Sequence, residues 1–276
     1  MACPSTVLCA PESRDQDHGE GRRTMSDHGT KQGTTKTRVR RASFAFARYL
    51  PLLDPEKFSD IRFYKELEAI GYEQVLLGGT GAADLGSLTR QLKAETSLTV
   101  ALYPAGPDSV APADVVIMPD VMNSNSHYAR PCGSGSVATA MNIARLGLDY
   151  VPVAYLIMGN STARWYFDAY LLPSSKVLLS YINYAAMVGY PYIALDYEDP
   201  QINIDPRLIR AIKQIADLRL VISDEFTPAS AAKAILMGAD TVITPSDVYE
   251  DKIGDDGDLT AALAYAKEFH DALLTA

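Results

Sequence analysis

The sequence predicts an α/β chain folded as a modified (β/α)8 TIM barrel that lacks the helix between its third and fourth strands. Three observations carry this reading. Short runs rich in Val, Ile and Leu alternate with segments of helical spacing from Ser43 to the end. The runs are almost unbroken in apolar residues, as in parallel strands buried on both faces, and the sequence holds eight of them. Only residues 104–113 separate the third and fourth runs, and Pro104, Gly106, Pro107 and Pro112 leave that stretch no room for a covering helix. Eight strands fit a barrel better than an open doubly wound sheet, which the alternation by itself leaves open.

Taken in order, residues 1–43 come first and differ in kind. They are rich in Gly, Ser, Thr, His and charge, and are nearly empty of large apolar side chains after Leu8. Such a stretch buries too little surface to offset its ordering entropy, so a disordered N-terminal tail is expected, with the barrel occupying residues 44–276. Strands are expected at 44–53, 74–78, 98–103, 114–118, 153–158, 192–197, 219–223 and 241–244. Helices are expected at 66–71, 82–95, 135–146, 174–188, 206–217, 228–237 and 259–274. Asp205-Pro206 and Thr227-Pro228 each place a capping side chain before a proline at the first helical position. Gly71, Gly147, Gly189 and Gly238 stand where helices should end. The short third crossover should leave the barrel open on one flank, either as a side door for a long apolar ligand or as a plain short loop.

The formal net charge of -9 argues against a general nucleic-acid binder, which needs a basic face to displace counterions. No apolar run reaches the length of a membrane span, and the start has no signal-peptide core, so no stable membrane insertion and a cytoplasmic location are expected. Cys3, Cys9 and Cys132 are widely spread, without a CxxC pair, and read as free thiols.

Polar residues fall at the C-terminal end of every expected strand: Asp54, Thr80, Tyr103, Asn123, Ser124, Asn160, Asp196, Tyr197, Ser223, Asp224, Thr244 and Ser246. In a barrel this rim carries ligand binding and catalysis. No histidine is among them, which argues against a Ser-His-Asp triad and against a histidine-rich metal site. What remains is a carboxylate and hydroxyl set of the sort that binds magnesium together with phosphates. Asp54 leads it as a metal ligand, with Thr80 beside the pair Gly78-Gly79, whose amides can approach an anion closely. The plain alternative is that Asp54-Pro55 opens a turn and Gly78-Gly79 closes a strand. A cluster from Trp165 to Tyr170, with Tyr181, Tyr184 and Tyr190 beyond it, reads either as an aromatic wall or as ordinary helix packing.

The motifs Leu53-Asp54-Pro55-Glu56-Lys57, Gly78-Gly79-Thr80, Met118-Pro119-Asp120-Val121-Met122-Asn123-Ser124, Ala154-Tyr155-Leu156-Ile157, Leu195-Asp196-Tyr197, and Gly238-Ala239-Asp240 through Val248-Tyr249-Glu250-Asp251 occur in one order. In that order they resemble the geranylgeranylglyceryl phosphate synthase family, over residues 46–272. The resemblance implies a TIM barrel lacking one helix, magnesium as cofactor, frequent homodimers, and transfer of a prenyl group from its diphosphate to a hydroxyl of glycerol 1-phosphate. It makes Asp54 and Thr80 the metal ligands, with Gly79 and Thr80 at the diphosphate. Asp196 stands in place of the family's glutamate near the acceptor hydroxyl and would be the general base. Asn123, Tyr155 and Tyr197 fall at substrate-binding positions.

The departures all fall on the acceptor side, while the donor and metal side is kept. Leu52 replaces a lysine, Glu198-Asp199 replaces a small pair, Ser223-Asp224-Glu225-Phe226 replaces a glycine-rich phosphate loop, and Pro245-Ser246 replaces Gly-Asn. Ser223, Thr244 and Ser246 would then supply phosphate donors in place of the lost glycines. These changes are most like those of the branch that joins farnesyl to 3-phosphoglycerate as an ether for phosphoglycolipid antibiotics. That acceptor is the expectation, with glycerol 1-phosphate or a non-catalytic phosphate-binding barrel as alternatives. A prenyl diphosphate and a phosphorylated three-carbon acceptor are the expected partners.

Overall fold

A computed structural model describes residues 40–79, 85–197, 204–215, 218–254 and 257–276. The expected tail lies almost wholly outside these residues, and Thr80 lies outside them too. Among the described residues nine strands occur in the order β1 (Arg40–Arg41), β2 (Tyr49–Leu53), β3 (Gln74–Gly78), β4 (Thr99–Tyr103), β5 (Val115–Val121), β6 (Asp149–Ile157), β7 (Tyr192–Asp196), β8 (Arg219–Ser223) and β9 (Thr241–Thr244). All pairings between named strands are parallel, and the additional pairing of β6 with β7 closes β2 through β9 into an eight-stranded barrel. Between the strands lie α1 (Ile61–Ile70), α2 (Gly86–Glu95), α3 (Ser134–Leu146), α4 (Thr162–Tyr166), α5 (Ser175–Val188), α6 (Pro206–Lys213), α7 (Pro228–Met237), α8 (Asp247–Glu250) and α9 (Thr260–Leu274).

Local chemistry explains the helix limits. Asp60, Ser174, Asp205 and Thr227 each accept a hydrogen bond from a first-turn amide. The four glycines expected to stop helices all do so at positive φ. The α1 helix begins at Ile61, before the expected 66, because the Asp60 cap fixes its start. Between β4 and β5 the chain makes only a 3-10 turn, Pro107–Ser109.

Alternation along each strand sorts side chains into two layers. Leu53, Val75, Leu77, Val100 and Leu102 pack outward against the helices, while Leu50, Leu76, Ala101, Ile117 and Val153 face the barrel axis. The first barrel strand starts at Tyr49, not at 44 as the apolar run suggests. Residues 42–48 instead cross the barrel base, after Arg40–Arg41 pair with Asp149–Tyr150. Arg40 clasps Asp149 in two hydrogen bonds of 3.1 and 2.7 Å. The ordered domain therefore includes Arg40 and Arg41, which the composition places in the tail.

Candidate active site at the C-terminal rim of the barrel

Asp54 follows the last residue of β2 on the inward alternation set by Leu50 and Leu52. It is half-buried. Its Oδ1 accepts the Glu56 amide at 2.9 Å, and its backbone carbonyl accepts the amides of Lys57 and Phe58. The turn thereby holds the carboxylate over the end of β3. A Cβ placed on Gly79 would lie 2.5 Å from Asp54 Oδ2, so the glycine is what gives the carboxylate its position. Among the described residues no group of three or more His, Cys, Asp or Glu is arranged as a self-sufficient metal site.

Asp196 ends β7, on the opposite side of the barrel from β3. It is fully buried and takes the hydroxyl of Tyr155 on Oδ2, while Oδ1 has no hydrogen-bond partner among the described residues. Burial, with the charge of Asp224 nearby, pushes this carboxyl up to about 7 against the opposing effect of the Tyr155 bond. Tyr155 faces inward from β6, with its ring edge-on to Tyr103 at 5.9 Å. Ser223 lies beside Asp196 in the β7–β8 register, and its inward side chain lines the chamber below.

Three neighbouring spaces with shared lining residues lie around these groups. A small apolar chamber of about 30 Å³ lies in the barrel interior, lined among others by Leu52, Leu76, Ile117, Tyr103 and Tyr155. A rim cleft of about 50 Å³ shares Leu52, Tyr103 and Tyr155 with it and reaches Gly79. That cleft shares Pro104, Ala105 and Phe167 with a third space on the flank, beside the 3-10 turn. Leu52, where the family resemblance expects a lysine, thus makes the wall between rim and interior apolar.

Several expected ligand groups are occupied elsewhere. Asn123 donates to the carbonyls of Ile157 and Tyr170 at 2.8 and 2.7 Å and accepts the Ile157 amide, so its amide group staples β5 to β6. Tyr197 falls on the outward alternation after Asp196 and packs in the layer between barrel and helices. Thr244 also points outward, sharing a 2.6 Å hydrogen bond with the Tyr49 hydroxyl. The Ser246 hydroxyl donates to Glu250 at 2.8 Å, and Lys57 bridges Glu250 and Asp247 on the same turn. In each case strand alternation or local turn chemistry takes the side chain away from the rim cleft. Of the expected residues, Gly79 and Tyr155 line it, with Asp54 against Gly79, Asp196 bonded to Tyr155 and Ser223 beside Asp196.

Of the aromatic cluster, Phe167 alone lines the cleft, while Trp165 is 82% exposed and Tyr184 is 54% exposed. The sequence reading did not single out Phe46, which lines the interior chamber from below. Its signal was present as the alternation Phe44-Ala45-Phe46-Ala47, absorbed into an over-long first strand.

A closed parallel barrel with inward carboxylates after β2 and at the end of β7, above an apolar chamber, has polar groups on the rim where TIM barrels carry ligand binding and catalysis. The chain belongs to the PcrB family, whose model matches residues 42–265. The geranylgeranylglyceryl phosphate synthase of Cenarchaeum symbiosum (strain A) is 27% identical to it over 208 residues, covering 70% of this chain and 82% of that protein. The protein of the same name from Thermococcus gammatolerans is 28% identical over 211 residues, covering 71% and 82%. The crystal structure of (S)-3-O-geranylgeranylglyceryl phosphate synthase from Thermoplasma acidophilum, in complex with its substrate sn-glycerol-1-phosphate, matches with a TM-score of 0.71 at 22% identity. It covers 87% of this chain and 96% of that one, and the likeness shows the fold.

Proposed function

We propose that this protein is a prenyltransferase that forms an ether between an allylic prenyl group, delivered as its diphosphate, and a hydroxyl of a phosphorylated three-carbon acceptor. The observation that carries the reading is Asp196: a buried inward carboxylate with one oxygen fixed by Tyr155 and the other without a partner among the described residues. Leaving a buried acceptor unsatisfied costs about 1–3 kcal/mol. A non-catalytic scaffold gains nothing from that cost, whereas an acceptor hydroxyl donating to Oδ1 removes it.

In the reaction the C1–O bond to the diphosphate breaks, the acceptor oxygen bonds to C1, and the acceptor's proton passes to Asp196 Oδ1. A carboxyl pushed up to about 7 is a well-matched base near neutral pH. Tyr155 keeps Oδ2 engaged and so presents Oδ1. The side chains of Leu52, Tyr103 and Tyr155, shared by the rim cleft and the interior, present apolar surface that helps exclude water from the reacting carbon. Magnesium suits the Asp54 side, because that ion is usually held by one or two carboxylates together with substrate phosphates, and Gly79 leaves the carboxylate its space. When bound there, it supplies charge neutralisation for the departing diphosphate. Thr80, outside the described residues, is the second metal ligand that the family resemblance implies.

Glycerol 1-phosphate is the acceptor that the relatives favour, being named in the Thermoplasma acidophilum complex and implied by the names of the curated relatives. A second reading, farnesyl as donor and 3-phosphoglycerate as acceptor in moenomycin-type antibiotic biosynthesis, is supported by the rim chemistry. Asp224 is 8% exposed beside Ser223, where the family resemblance expects phosphate-binding glycines, so the acceptor side is built differently. Incubation with C10, C15 and C20 prenyl diphosphates, magnesium and each acceptor, followed by mass analysis of products, tests both. An ether product from either acceptor supports the reaction, and the preferred acceptor chooses between the readings. No product from any pairing sinks both. A homodimer is proposed as well, covering exposed apolar side chains such as Met141 of α3 and Met187 of α5; sedimentation as a monomer would reject it.

A further inference from the structure

We infer that the open cavity at the base of the barrel, between Arg41 and Arg219, is a second binding site, and that it takes the phosphate of a phosphate monoester. It lies at the far end of the strands from Asp54 and Asp196. Arg219 opens β8, whose other end carries Ser223, and Arg41 pairs with Tyr150 near the start of β6. The cavity measures about 430 Å³, within the range of small-ligand sites and far larger than the space at the barrel axis. Its wall is part charged and part apolar, with the arginines and Ser43 standing beside Phe44, Val151 and Tyr192. No Asp or Glu is among the described residues that line it.

Neighbouring arginines show the contrast that makes this a site. Arg40 is spent on Asp149, which takes both of its hydrogen bonds. Arg41 instead gives Nη2 to the Gly189 carbonyl at 2.9 Å, and Arg219 gives Nη1 to the Tyr192 hydroxyl at 3.0 Å, with its Cζ 5.7 Å from the centre of that ring. Each is therefore held in place by a neutral partner, and among the described residues neither forms an ion pair. A guanidinium carries several N–H donors in a rigid fork, so most of each fork is left for a ligand. Like charges lining one cavity repel until an anion sits between them, and a phosphate dianion matches both, whereas a carboxylate is neutralised by one. Phe44 and Tyr192 add an apolar flank for the body to which the phosphate is attached. The Tyr192 hydroxyl also accepts the Phe46 amide at 3.3 Å and donates to the Phe44 carbonyl at 3.0 Å. A ligand held by both arginines thus ties the segment that crosses the base to the starts of β7 and β8.

Hydrogen exchange of the backbone amides in residues 42–47 and 188–193, followed against inorganic phosphate and phenyl phosphate, reads the base of the barrel separately from the rim. Both ligands are expected to slow exchange there, phenyl phosphate at the lower concentration because its ring meets Phe44 and Tyr192. Arg41→Gln and Arg219→Gln should each raise the concentration needed by roughly tenfold or more, the scale of one lost charged hydrogen bond. Arg40→Gln should change it by less than about twofold, since Asp149 already neutralises that charge. Thermal melts confirm that each variant folds, and if Arg41→Gln loosens the segment that carries it, Arg219→Gln decides. Co-sedimentation with phosphatidylcholine vesicles, with and without phosphatidate, separates the sources of the phosphate. Capture that needs both phosphatidate and Arg219 assigns the site to a lipid headgroup, and protection by phenyl phosphate without capture assigns it to a soluble ester. Exchange that neither phosphate changes, protection that survives in both Arg41→Gln and Arg219→Gln, or an equal loss in Arg40→Gln overturns the inference.

Discussion

The two sides of the rim carry the same functional group in contrasting settings. Asp54 is half-buried, held by the Glu56 amide and laid against Gly79, while Asp196 is fully buried, held by Tyr155, with one oxygen unpartnered among the described residues. Burial, more than residue type, divides the labour. A carboxylate near solvent can meet a hydrated cation and phosphates, whereas a dry one pushed up to about 7 is suited to taking a proton.

The largest expected effect comes from Asp54→Asn, which removes a charged oxygen where a hard cation should bind. Turnover should fall by about 10³-fold or more with the melting temperature retained, since several kcal/mol of charge stabilisation is lost. Unchanged turnover at limiting magnesium would erase the contrast. Next is Asp196→Asn, expected to lower kcat/KM on the order of 10² to 10⁴ and to remove the limb of the parent's profile that rises through about pH 7. Stability gives an independent reading of the same group. Because the folded carboxyl titrates near 7 and the unfolded one near its ordinary value of about 4, the native state keeps a proton that the unfolded state has lost. Parent stability should thus fall as pH rises from about 4 to about 7, and the Asn variant should lack that slope in thermal melts.

Gly79→Ala is expected to act through Asp54, since the new methyl would sit 2.5 Å from Oδ2. A loss of about 10–100-fold, recovered in part by excess magnesium, would be typical of disturbing the support of a ligand. Full activity would mean that the carboxylate has room to move. The smallest effect should be Thr244→Val: about 1 kcal/mol of stability for the lost Tyr49 bond, with kcat/KM for either acceptor unchanged. A selective loss of acceptor affinity would return Thr244 to the site.

Much of the architecture was legible because strand and helix signals are local. The runs at 74–78 and 219–223 match β3 and β8 end to end, and the proline-rich stretch after β4 could form nothing longer than a 3-10 turn. The site was legible only in part. Rim position is readable from where an apolar run stops, so Asp54 and Asp196 could be singled out. Side-chain direction at the rim is not, because it changes with each residue and with each turn. Asn123, Tyr197, Thr244 and Ser246 all lie at strand ends or just beyond, yet each turns to a structural partner.

By itself, then, the sequence determined which segments become strands and helices, which residues end each strand, and which family pattern they follow, since these depend on neighbours a few positions away. Only the tertiary structure decided that Phe44 and Phe46 leave the sheet to close the barrel base. It alone also decided that Tyr155 from β6 meets Asp196 from β7, and that Gly78, Ala101 and Ala194 leave a chamber between them. Those outcomes depend on closure of the sheet, which brings residues distant in the chain onto one axis and fixes how much space and water they share.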